Sequence, residues 1–173
     1  MSESRSAVAH GYWKESSEKF DYYVTALTAA LCAYIGQSFL PEKLKWSPNT
    51  LELVALSVLA FSVFAGFRKI EVMIVFYKLN HEFLQNGEQT GALKVGLAES
   101  TTGMVINQSS GEVWTVESAE KRISELENRT TDIMSQQEIF QKRANRWYKL
   151  RNRSLFVGFT LLVASRVLMA YYK

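Results

Sequence analysis

A single cysteine, Cys32, is all the chain has, so no disulfide closes within it and no cysteine-based metal framework forms. Histidine is nearly as scarce: His10 and His81 stand at no ligand spacing from each other, from Cys32 or from an acidic pair. The run Gly87-Glu88-Gln89-Thr90-Gly91 lacks the Gly-Lys-Ser/Thr ending with which a phosphate loop holds a nucleotide. Serine and threonine are plentiful, yet no motif supplies any of them with a general base. No early apolar core is followed by a small-residue cleavage site, so a cleaved leader is not expected. With no catalytic constellation to read, neither an enzymatic activity nor a cofactor is expected.

What the sequence does have is segregation. Mean hydropathy is near zero, but the apolar residues gather in three stretches, Tyr22 to Leu40, Leu51 to Phe67 and Leu155 to Tyr172. Each approaches the roughly 20 residues that a helix needs to cross a hydrocarbon core of about 30 Å. The expected fold class is therefore an all-α membrane protein. Three transmembrane helices are expected, two of them extended into a cytosolic antiparallel helical or coiled-coil stalk with a small β-hairpin at its tip. Residues 1–21 read as a cytosolic N-terminal segment, 22–67 as a transmembrane hairpin with spans 22–40 and 51–67, and 68–154 as a cytosolic helical insert with a tip loop at 87–115. Residues 155–173 read as the third transmembrane helix.

Orientation follows from basic residues. The insert from Arg68 to Ser154 carries thirteen Lys and Arg, against Lys43 and Lys45 in the short connection and Lys173 at the far end. Positive loops stay inside, which predicts a cytosolic N-terminus and an outer C-terminus. The sequons at Asn107, Asn128 and Asn152 then face the cytosol and read as chance matches.

Beyond the spans the rhythm continues. Leu53, Leu56, Ala60, Val63, Phe67, Ile70, Ile74, Tyr77, His81 and Leu84 alternate steps of three and four, a heptad seam expected to end near Asn86-Gly87. A second seam runs through Val116, Ala119, Ile123, Leu126, Thr130, Ile133, Gln137, Phe140, Ala144, Trp147 and Arg151. It predicts antiparallel packing on the first, with Ile123, Leu126, Ile133, Phe140 and Trp147 as candidate seam residues between copies of the chain. His81 reads as a packed interface histidine. Met104 to Asn107 and Glu112 to Thr115 flank the turn candidate Gln108-Ser109-Ser110-Gly111, and the 87–115 tip is a candidate site for a cytosolic protein partner.

Polar groups within the spans are the candidate site. Arg166, Glu52 and Gln37 lie at similar depth on the outer side. Arg166 either snorkels to the headgroups, pairs with Glu52, or lines a pore shared by several copies. Small residues four apart, such as Ala26 and Ala30, Ala29 and Ala33, Cys32 and Gly36, and Ser62 and Gly66, suit close helix approach in lipid. Lys142, Arg143, Arg146, Lys149, Arg151 and Arg153, with Trp147 and Tyr148 among them, form an acid-free run before the third span. They suit anionic lipid headgroups, or another phosphate group; nucleic acid is not the expected partner.

A hairpin of Tyr22 to Leu40 and Leu51 to Phe67, its second helix running on into a cytosolic coiled region, resembles the SLATT type of small bacterial membrane effector. The resemblance is architectural, without a shared motif, and the third span departs from it. It implies an oligomer that perturbs the inner membrane when an upstream sensor acts. The expected function is thus a homo-oligomer that forms or gates a membrane-permeabilising channel. The alternatives are a non-enzymatic scaffold recruiting a cytosolic partner, or a subunit of a transporter or envelope complex.

Overall fold

Past Pro48 the sequence contains no proline, and nothing in the backbone chemistry forces a helix to stop. The computed structural model describes residues 5–39, 47–100, 104–106 and 113–171. It consists of α1 (Arg5–Ser38), α2 (Pro48–Glu99), β1 (Met104–Ile106), β2 (Val113–Thr115) and α3 (Val116–Tyr171). The chain is all-α apart from two short strands, which pair antiparallel with Val105 opposite Trp114. The turn candidate at 108–111, most of the 41–50 connection and Lys173 lie outside the described residues.

Local chemistry sets the helix starts. Ser47 caps α2, its hydroxyl accepting from the Thr50 amide at 3.4 Å, and Pro48 follows at the first helical position, where a missing N–H costs nothing. Thr115 ends β2 and caps α3 through the Ser118 amide at 3.3 Å, with Glu117 in the first turn complementing the helix dipole.

The expected end of α2 at Asn86-Gly87 is corrected: the helix continues to Glu99, so 87–99 is no loop. Gly87 and Gly91 weaken it by about 1 kcal/mol each relative to alanine. The turns beyond them are repaid by packing, because Leu93 is buried against Ile123 and Leu126 with Leu97 alongside.

The chain divides into two units. The first comprises Met1–Glu71 with Ala144–Lys173, the second Val72–Arg143. This differs from the sequence boundaries at 67/68 and 154/155, because Lys69 and Arg151 join the first unit through a shared acid described below.

In the first unit, α1 and α3 each run antiparallel to α2. Its buried positions are small or polar for the most part: Thr25 and Thr28 on α1, Glu52, Ala55, Ser62 and Ala65 on α2, Arg151 and Ser165 on α3, with Ile35, Leu59 and Leu162 among them. Large apolar side chains such as Leu27, Phe61, Phe64, Phe67, Phe156 and Phe159 point outward. That arrangement inverts a water-facing fold. α2 and α3 are each long and apolar enough to cross a membrane, and only 33 % and 17 % of their most apolar windows are buried within the chain. α1 is not among these helices; Tyr22, Tyr23, Thr25, Thr28, Tyr34 and Gln37 make its apolar stretch more polar.

The inversion also corrects the first seam. Leu53, Ala60, Phe67, Ile74, His81 and Leu84 are exposed in the single chain, so His81 does not pack within it, and Leu56, Val63, Ile70 and Tyr77 are half-buried; the stripe one position back, through Glu52, Ala55, Leu59, Ser62 and Gly66, is buried instead. Reading the largest apolar side chains as the core selects the wrong face when the smallest residues make the contact. In the second unit the inward stripe of α2 is Phe76, Leu79, Phe83, Asn86, Thr90, Leu93 and Leu97, in steps of three and four. The α3 seam lies as expected: every position from Val116 to Arg151 in that series is buried or half-buried. Two amide nitrogens in the second unit, Asn86 Nδ2 and Gln137 Nε2, are buried without a hydrogen-bond partner.

Two glycines in the first unit are required by contact. A Cβ on Gly66 would fall 2.5 Å from Thr25 Oγ1, and one on Gly158 would fall 2.8 Å from Leu59 Cγ and 3.2 Å from the Leu59 amide. Gly158→Ala is therefore expected to lower the thermal unfolding midpoint in detergent, an overpacking cost of about 1–3 kcal/mol exceeding a propensity gain of about 1 kcal/mol. Gly91→Ala, which meets open space, should raise it. Equal gains from both substitutions would refute the close approach of α2 and α3.

Candidate functional site

Charges at the helix ends organise the first unit. At one end Asp21 on α1 reaches both other helices: its Oδ1 accepts from Arg151 Nη1 at 2.7 Å, and its Oδ2 is paired with the Lys69 ammonium. The Arg151 side chain is 2 % exposed, and those of Asp21 and Lys69 are 13 % exposed. The Tyr148 ring lies beneath both cations, 4.7 Å from Lys69 Nζ and 5.2 Å from the Arg151 guanidinium carbon. The Ser62 hydroxyl donates to the Arg151 carbonyl at 2.9 Å, and Arg151 Nε donates to Asn152 Oδ1 at 3.1 Å. One carboxylate against two cations leaves the cluster net positive. One turn earlier on α1, Glu18 Oε1 is buried without a hydrogen-bond partner.

At the other end Arg166 Nη2 donates to Glu52 Oε1 at 2.6 Å. The pair is lopsided, with the Glu52 side chain 5 % exposed and that of Arg166 54 % exposed. Beside it the Ser165 hydroxyl donates to the Pro48 carbonyl at 2.9 Å, fixing the start of α2 against α3. A groove of about 750 Å³ opens between α1 and α3, its walls formed by Leu31, Tyr34, Ile35, Leu162 and Val167, with Arg166 as its charged side chain.

Of the polar candidates within the apolar stretches, the structure thus brings Glu52 and Arg166 together and leaves Gln37 out. Gln37 is exposed on α1, and among the described residues it makes no hydrogen bond with that pair.

The basic run is less uniform than its sequence. Arg151 is removed from the lipid or phosphate candidates, because it is buried and paired with an acid 130 positions away. Trp147 meets Phe64 edge-on at 6.0 Å. Lys142 pairs with Glu138 at 2.6 Å, and that hydrogen bond draws the Glu138 carboxyl below the usual carboxylate range. Arg143 lies over Phe140 at 5.7 Å. Arg146, Lys149 and Arg153 are exposed, and Tyr148 is exposed on its outer side.

The proposed seam between copies is corrected too. Ile123 and Leu126 pack on Leu93 and Trp147 meets Phe64, both on α2, while Ile133 is buried within the single chain and Phe140 is half-buried.

Sequence reasoning missed the Asp21 cluster. Its signal was available: Asp21, Lys69 and Arg151 all flank apolar stretches at the end that basic residues assign to the cytosol, and opposite charges at one depth tend to pair.

No protein-family model, no curated protein and no solved structure matches the chain. Among the described residues no group of His, Cys, Asp and Glu is arranged to hold a metal ion.

The lopsided pair has an asymmetric consequence. Arg166→Gln strands a buried carboxylate and should cost on the order of 3 kcal/mol, whereas Glu52→Gln leaves a half-exposed guanidinium and should cost much less. The double substitution should recover most of the loss. Thermal unfolding of the three variants checks this, and equal costs for the two single changes would contradict the burial of Glu52.

Proposed function

We propose that the chain is a non-enzymatic, multi-pass protein of the bacterial inner membrane, with its N-terminus cytosolic and its C-terminus outside. It assembles as a homo-oligomer that forms or gates a permeation path lying between copies. The observation that carries the reading is the outer face of α1. Ala26, Ala30, Ala33 and Gln37 follow helical spacing and are exposed on the side away from the buried Thr28 and Ile35. In lipid, large apolar surface gives helices no reason to associate, whereas small residues with an occasional amide do. The interior of the unit supports the same reading, because the contacts of Gly66 and Gly158 leave α1, α2 and α3 packed against one another, and a path has to pass outside them. The architectural resemblance to SLATT-type effectors agrees, with membrane lipids as the surroundings and an upstream sensor as the trigger.

A second reading, a scaffold that recruits a cytosolic protein, is favoured by apolar residues left exposed in the second unit, among them Ile74, Leu84, Val95, Met134 and Ile139. Dye leakage from liposomes, read beside the native mass in nanodiscs, separates the two. The channel reading predicts a multi-copy mass and leakage, both reduced by Ala30→Phe, which bulks the exposed stripe without touching the buried side of α1. A monomeric mass with no leakage would leave the scaffold.

Topology is tested by reporter fusions. Those after residue 46 and at the C-terminus should report the outside and one near residue 110 the cytosol; a cytosolic C-terminus would show that one proposed span does not cross.

A further inference from the structure

The groove between α1 and α3 pairs an apolar trough with one half-exposed cation, whose bond to Glu52 leaves most of its donors open. Arg166 carries five N–H donors, of which the bond to Glu52 occupies one. Glu52 is buried, so it anchors the guanidinium from behind and is not itself within reach of a ligand. Leu31, Ile35, Leu162 and Val167 supply aliphatic walls, and Tyr34 is exposed beside them.

We infer that this groove binds one phospholipid of the surrounding bilayer, the phosphodiester on Arg166 and part of an acyl chain between α1 and α3. The inference rests on the membrane placement proposed above, and is independent of the oligomer. Three features select this occupant. A guanidinium matches a phosphate in charge and in forked geometry. Arg166 precedes Tyr171 by five residues, about 8 Å of helix, which places the groove near one end of the apolar stretch, where a headgroup phosphate would lie. The trough, at about 750 Å³, lies within the range of small-molecule sites and offers a chain contact while presenting one charge. Glu52 acts as a positioning residue, holding the guanidinium at the groove instead of letting it sweep the interface.

The test is native mass spectrometry of the full chain, delipidated in mild detergent and titrated with phosphatidylglycerol, with diacylglycerol of the same acyl chains and with inorganic phosphate. Wild type should take up one phosphatidylglycerol per chain. Glu52→Gln with Arg166→Gln, which removes the charge pair without stranding a buried ion, should weaken that uptake about tenfold. Ala170→Phe, which narrows the groove and leaves the pair intact, should weaken it as well. Diacylglycerol should bind wild type no better than it binds the double variant, and inorganic phosphate should not displace the lipid. Phosphatidylglycerol uptake that is equal in all three proteins would overturn the inference, as would displacement by phosphate alone or equal binding of diacylglycerol. Carbonate extraction of native membranes scores the placement separately. Release into the supernatant sinks the membrane reading, whereas retention together with unchanged lipid uptake sinks the groove alone.

Discussion

The carboxylate of Asp21 is the only acid at its end of the first unit that joins α1 to both other helices among the described contacts, one oxygen to each. Much else there follows from it. Arg151 can be buried at the α2–α3 contact only because its charge is met, and with it buried, its carbonyl comes within reach of Ser62. A cation and an anion taken from water without each other would each cost several kcal/mol, so the three side chains are retained together or not at all. The Tyr148 ring beneath both cations absorbs part of the excess positive charge.

The opposite end uses a related device with a different balance. There a buried acid is matched by a cation that stays half in the surroundings, and Ser165 ties α3 to the first residue of α2. Between the two ends contact depends on what is absent: a side chain at Gly66 facing Thr25, and one at Gly158 facing Leu59. Polar clasps at both ends with small residues between them suit helices whose outer surface is apolar, because burial of large side chains adds little in an apolar solvent.

Much of this was legible in the sequence, unevenly. The α3 seam was read in register because from Val116 to Phe140 its apolar residues turn inward, as periodicity assumes. The α2 seam was displaced by one position because Leu53, Ala60 and Phe67 face away from their own chain. Leu93 and Leu97 were overlooked because Gly87 and Gly91 resemble a helix end until the packing beyond them is known. The link of Glu52 with Arg166 was one of several open roles, since equal depth in two helices does not tell whether they are neighbours. Asp21 and Arg151 are 130 positions apart, and only the tertiary arrangement of three helices shows that they meet.

The central claim is that one carboxylate clamps α1 to the other two helices. Hydrogen–deuterium exchange of the backbone from Glu18 to Thr28, compared between wild type and Asp21→Asn in the same nanodiscs, tests it most directly. Loss of a buried charge partner costs about 3–5 kcal/mol. Exchange in these turns should therefore accelerate at least about tenfold, with Ala55 to Ser62 of α2 little changed. Unaltered protection of α1 in the variant would contradict the account.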